Sequence, residues 1–202
     1  MVCLPKVWRF ENYTHAFMGG NVGRYLANSI IVTAATILIV CIASLMASYA
    51  LIRMKWKLRK TFQLIFIMGI TIPIHAALLP VFIMMRQVHL INTYWCLIIP
   101  YSAFAVPMAI MISSGFISSI PVELEEAACI DGCSIYKIFI QIILPLMKPS
   151  LATIAIFTFL QSWNELMFAV VFHSKPAYRT QTVGIQSLVG QYPKDWGPTG
   201  GG

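Results

Sequence analysis

Four of the seven acidic residues in this 202-residue chain, Glu123, Glu125, Glu126 and Asp131, fall within nine positions. The other residue types that do chemistry are scattered. A nucleophilic hydrolase needs a serine or similar group with a base in reach. Ser113 and Ser114 stand near one end of an apolar run and His75 deep within another, and nothing in their spacing brings them together. The five cysteines occur singly or as CxxxC (Cys129, Cys133) without a histidine at ligand spacing, so neither a zinc site nor a disulfide framework is indicated. There is no G-x-x-x-x-G-K-[ST] phosphate loop. No catalytic residue, metal or cofactor is therefore expected of this chain. The acidic cluster, which encloses the small pair Ala127 and Ala128, offers electrostatics and shape.

The elements that must carry this cluster are greasy. The chain is 58% hydrophobic and 10% charged, with a mean hydropathy of +0.77, which places it among membrane proteins. The net charge of +7 shows no basic stripe with interleaved aromatics outside one short loop, so a membrane surface explains it better than nucleic acid does. The N-terminal stretch lacks the apolar core and small-residue cleavage site of a signal peptide. Residues 25–52 carry no charge and exceed the roughly 20 residues a helix needs to cross about 30 Å of hydrocarbon. Further spans are predicted at 61–85, interrupted by Pro73 and Pro80, at 93–117 with Pro100 and Pro107, and at 149–172. Prolines there either kink helices along a path or reflect their greater frequency in membrane helices. The fold expected is thus an all-α membrane protein, a single domain over 1–202 with about four spans. The loop after the first span holds Arg53, Lys55, Lys57, Arg59 and Lys60, and the positive-inside rule puts it in the cytoplasm, leaving residues 1–24 outside. Residues 173–202 read as a polar, loop-like outer segment.

Between the third and fourth spans lies a loop, 118–148, on the cytoplasmic side. Within it "PVELEEAACID", 121–131, reads as a short helix: Pro121 near its start, acids in a first turn that favours negative charge, Gly132 just past its end. At 1.5 Å per residue it is about 16 Å long, too short to cross. Ala127 and Ala128 allow close approach of a partner, Glu123 and Glu126 present charge one turn apart, and Gly132 takes a left-handed turn without steric cost. The combination suits a docking knob better than an ordinary solvated loop.

The spacing of Glu126, Ala127, Ala128, Gly132, Ile142, Leu144 and Pro145 resembles the signature loop of permease subunits in binding-protein-dependent ABC importers. "SIPVELEEAACIDGCS", "ILPLMKPSLATIAIFTFLQSWNE" and "TQTVGIQSLVGQY" are similar to the carbohydrate-type branch, in particular to the smaller permease of maltose-type systems, and the likeness covers nearly the whole chain. The resemblance implies that Glu123, Glu126, Ala127, Ala128 and Asp131, with Gly132, Ile142, Leu144 and Pro145, couple to a cytoplasmic ABC ATPase present in two copies. It also implies a second permease subunit, an extracytoplasmic solute-binding protein, ATP and Mg used by the ATPase rather than by this chain, and location in the cytoplasmic membrane of a prokaryote. Such permeases have six spans with both termini inside. Here the first is absent and the sequence stops at "DWGPTGGG" where the last should begin, so the chain is expected to be a fragment.

Three more residues are candidates for the translocation path. Asn164 and Glu165 sit toward the outer end of the last span, and an ionisable residue in a span is a functional hypothesis by default; beside Trp163, Glu165 equally suits an interfacial belt. His75, between Pro73 and Pro80, either meets solute or bonds a carbonyl freed by the prolines. The expected function is a permease for sugars. The rivals are a permease for another solute, or an intramembrane enzyme or assembly protein.

Overall fold

The computed structural model describes residues 21–191, the last few as backbone only. Among them are helices and no strands. Helix α1, Val22–Ile52, is 31 residues long and at 1.5 Å per residue reaches about 46 Å, more than a bilayer core. Its small and polar residues Asn28, Ser29, Thr33, Thr36, Ser44 and Ser48 point inward, among buried Val32, Val40, Leu45 and Tyr49, while Ile30, Ile31, Leu38, Ile42 and Met46 point out. Inward small and polar residues suit a lipid solvent, because apolar side chains gain little by leaving lipid whereas small ones let helices approach. The Ser48 hydroxyl donates to the Ile110 carbonyl of the neighbouring helix at 3.2 Å, a link worth about 0.6 kcal/mol in a membrane.

After the basic loop, helix α2 (Arg59–Ile70) is followed by a 3-10 turn at Ile74–Ala77 and helix α3 (Leu78–Gln87). The expected continuous span 61–85 is not continuous, because α2 and the stretch after it meet at 93°. Pro73 explains the break: it lacks an amide hydrogen, and its own backbone is extended (φ −68°, ψ 120°). Pro80 does not kink a helix, since it lies in the first turn of α3, where its missing donor has no partner to lose. Helix α4, Trp95–Ser119, passes through Pro100 and Pro107 without interruption.

Helix α5 spans Glu123–Ile130. Helix α6, Ile135–Leu146, contains a π-helical turn at Phe139–Ile143. That wide turn directly precedes Pro145, whose ring would otherwise press on the carbonyl four residues back. Helix α7, Lys148–Trp163, starts with Pro149 in its first turn and leaves α6 at 70°. The predicted span 149–172 is broken at 164–166, after which helix α8 covers Met167–Phe172. A 3-10 turn at Pro176–Tyr178 leads to helix α9, Gln181–Gln191. The expectation of a loop beyond 173 is corrected here; the end of the chain, 192–202, lies outside the described residues, as do residues 1–20. Two helices, α1 and α4, are each long and apolar enough to span, or up to four spans exist if each bent pair is one.

Three apolar clusters stack along the bundle. One at the end carrying α8 and α9 centres on Leu97, Tyr101, Phe168 and Phe172. A middle one joins Val40, Ala105, Ala109 and Ile154. The third, at the end carrying the basic loop, gathers Leu45, Tyr49, Ile117, Ala128, Ile138, Ile143 and Met147.

Candidate functional site

The third cluster is what holds the acidic helix. Ile120 is extended (φ −77°, ψ 126°), as a residue before proline must be, so the chain leaves α4 sharply at Pro121 and restarts as α5. Glu123, Glu125 and Glu126 occupy its first turn, complementing the positive end of the helix dipole. Its far end is a Schellman closure: the Gly132 amide donates to the Cys129 carbonyl and the Cys133 amide to that of Ala128, both at 3.0 Å. Gly132 has φ 77°, the left-handed conformation that closure requires. Ser134 then caps α6, accepting from the Lys137 amide.

The residues singled out by the motif divide between two faces. Glu123, Glu126, Ala127 and Asp131 are exposed, as are Gly132 and Pro145. Ala128 is buried at 7% and packs with Leu45, Tyr49 and Ile117, so its smallness serves packing on the bundle and only Ala127 offers a partner close approach. Ile142 and Leu144 lie against the same cluster and brace the loop from beneath. Glu125 also faces inward: its Oε1 is 2.7 Å from Arg53 Nε, and the Tyr49 hydroxyl donates to its Oε2 at 3.0 Å. Neither partner is legible from spacing, since Tyr49 and Glu125 are 76 residues apart. Beside the exposed acids stand two large exposed side chains, Ile130 at 87% and Tyr136 at 78%. An aliphatic and an aromatic group so exposed on a loop rimmed by charge have the makings of a contact surface.

At the opposite end, Glu165 Oε1 accepts the amides of Met167 at 2.8 Å and Phe168 at 3.2 Å, capping α8 where the predicted span breaks. Asn164 is exposed and donates to the Leu160 carbonyl at 2.8 Å. His75 is exposed in the turn after Pro73; Ile74, rather than His75, lines a tight crevice together with Tyr101, Thr158, Gln161 and Glu165. The structure therefore gives Glu165 a structural task and does not bring His75 to it.

A second polar assembly at this end has no motif. The Asn28 amide donates to the carbonyls of Ala177 and Arg179, each at 2.9 Å, and its oxygen accepts from the Tyr94 hydroxyl at 2.9 Å. The Lys175 amide donates to Asn92 Oδ1 at 3.0 Å, and the Gln181 amide to Ser29 Oγ at 2.8 Å. His173, 2% exposed, brings Nε2 to 3.1 Å from the Thr93 carbonyl and 3.2 Å from Cys96 Sγ. Burial pushes this imidazole below its ordinary range, against a smaller opposing effect of the Thr93 carbonyl. An asparagine inside an apolar run was the available signal, because a buried amide must find partners.

Fold and site together define a multi-pass helical membrane protein that presents a short, acid-rimmed helix at one end. The chain belongs to the family of binding-protein-dependent transport system inner membrane components, whose model matches residues 39–194. Among similar proteins are a diacetylchitobiose uptake system permease protein of Streptomyces coelicolor, 34% identical over 96% of this chain and 65% of that protein, and a melibiose/raffinose/stachyose import permease protein of Bacillus subtilis, 34% identical over 93% of this chain and 68% of that one. A sulfoquinovosyl glycerol transport system permease protein of Agrobacterium fabrum is 35% identical, over 95% and 67% respectively. The chain thus spans about two thirds of the length of these relatives. In fold it is similar to a chain of a bacterial ABC transporter that imports alginate, with a TM-score of 0.85 at 22% identity over 98% of this chain and 74% of that one.

Proposed function

We propose that this chain is a membrane-spanning permease subunit of an ATP-driven importer for sugars, and that α5 with the turn at Gly132 is where a separate cytoplasmic ATPase docks. The observation that carries the reading is the motif helix itself: Glu123, Glu126, Ala127 and Asp131 are exposed together with Ile130 and Tyr136, while Ala128, Ile142 and Leu144 anchor the loop to the bundle. A surface held rigidly from behind transmits displacement, and charges around an apolar contact steer the partner and set its register. The chain's own role is mechanical. Two ATPase copies, a second permease subunit and an extracytoplasmic solute-binding protein complete the proposed assembly, with ATP and Mg used by the ATPase. Sugar as solute is supported by the names of the relatives from Streptomyces and Bacillus.

Gly132→Val tests the docking helix. A Cβ at Gly132 meets nothing within 4 Å, so the substitution strains only the φ 77° turn, at a cost of about 1–2 kcal/mol or more for a branched residue. Membrane abundance should stay near parental while the co-purified ATPase and uptake of radiolabelled raffinose or diacetylchitobiose collapse. Glu126→Lys should do the same by reversing charge on the docked face. Near-parental uptake with the ATPase retained in both variants would overturn the assignment.

A further inference from the structure

We infer that Arg53 is a positioning residue, a clamp that fixes the docking helix to two spanning helices so that force applied to α5 moves α1 and α4 instead of rotating α5 alone. The inference rests on α5 being the docking element. Arg53 follows α1 directly, as its C-cap, and its guanidinium is shared three ways. Nε faces Glu125 Oε1 at 2.7 Å. Nη2 donates to the Ile117 carbonyl at 2.9 Å and to that of Ile120, the final carbonyls of α4, where a helix end carries negative partial charge. The second Glu125 oxygen accepts from Tyr49, one turn back on the same face of α1. Both carboxylate oxygens are thus engaged by α1, and the cation doing the engaging also closes α4.

The two side chains are 11% and 13% exposed, so water competes little for these bonds and either charge alone would be left poorly solvated. The guanidinium matters: Nη2 donates to two carbonyls while Nε stands beside the carboxylate as an ion pair, whereas an ammonium presents a single compact charge on a flexible stem. The basic loop therefore has two jobs. Lys55, Lys57 and Lys60 are exposed and suit the positive-inside role, while Arg53 is committed to the protein.

The test uses the full-length permease in its assembled transporter, with raffinose and diacetylchitobiose as solute probes. The ratio of ATP hydrolysed to sugar moved is the readout, because a merely structural residue lowers hydrolysis and uptake together whereas a clamp separates them. Arg53→Met should raise this ratio roughly tenfold with the ATPase still bound, since it leaves Glu125 buried and unanswered, and Arg53→Lys should fall between. If Arg53→Met does not accumulate, Arg53→Lys and Tyr49→Phe, which keep the charge or the shape, are read in its place and should each raise the ratio. A parental ratio in these variants, while Gly132→Val abolishes coupling, overturns the clamp and leaves the docking reading standing. ATPase lost from the Arg53 variants overturns it by assigning Arg53 to docking. ATPase retained and coupled in Gly132→Val sinks the docking reading, and the clamp with it.

Discussion

His173 shows how a single buried group ties the segment that follows α8 to the bundle. Its neighbours are Thr93 and Cys96, the Tyr178 ring with centroids 6.1 Å away, and the following Lys175, whose amide is held by Asn92. With the imidazole pushed down by burial, the folded protein holds it neutral while the unfolded chain titrates near the ordinary value of about 6.5. The unfolded state therefore binds more protons below that value. The contribution of His173 to stability is complete above pH 6.5 and drains as pH falls from there toward the depressed folded value. The heat-unfolding midpoint of the purified protein should drop between pH 7.5 and 5.5, by about 2–4 °C for each kcal/mol lost. His173→Gln, which retains a donor for Thr93, should show a shallower drop. An equal drop in both would assign the pH response elsewhere. The helix stop at Gly132 was legible, because a left-handed turn is a local feature of the chain. The pairing of Glu125 with Arg53 was not, because contact between distant residues is decided by how α1 and α4 cross.

Prolines announced where the helices would be disturbed, but not how. Pro73 produced a right-angled break, Pro80 fell harmlessly in a first turn, and Pro100 and Pro107 are absorbed within α4. Position within the helix decides the case of Pro80, and at Pro107 the packing is close: Gly69 has no Cβ, and an added one would lie 2.9 Å from the Pro107 Cγ. Helix α9 was missed because its sequence has weak local signals and a glycine in its middle. Its place is settled by packing, with Gly184 pressed against the Tyr25 ring of α1 and the Gln181 amide bound by Ser29. Gly184→Val puts a branched side chain into that ring and should cost about 1–3 kcal/mol. The expected readouts are a lower heat-unfolding midpoint and faster proteolytic cutting between residues 173 and 181, with insertion unchanged. A parental midpoint would mean that α9 does not depend on this contact.

For the molecule as a whole, the ion pair between Arg53 and Glu125 puts the basic loop and the acidic helix α5 at one end, while the Asn28 assembly gathers residues 173–181 at the other. With native cysteines replaced, single cysteines at Lys57 and at Gln186, both exposed, should label from opposite sides of the membrane; labelling from one side would refute the topology. Apolar run length determined, from sequence alone, that the chain is an all-α membrane protein, because insertion responds to local transfer free energies summed along a segment. Motif spacing likewise determined the short acidic helix, its stop at Gly132 and the family. Only the tertiary structure decided that Ala128 turns inward, that Glu165 caps a helix, that Arg53 joins three helices and that the segment after 173 is folded. These outcomes depend on which surfaces meet after insertion, and the same side chain can cap, pair or line a gap according to what lies across from it.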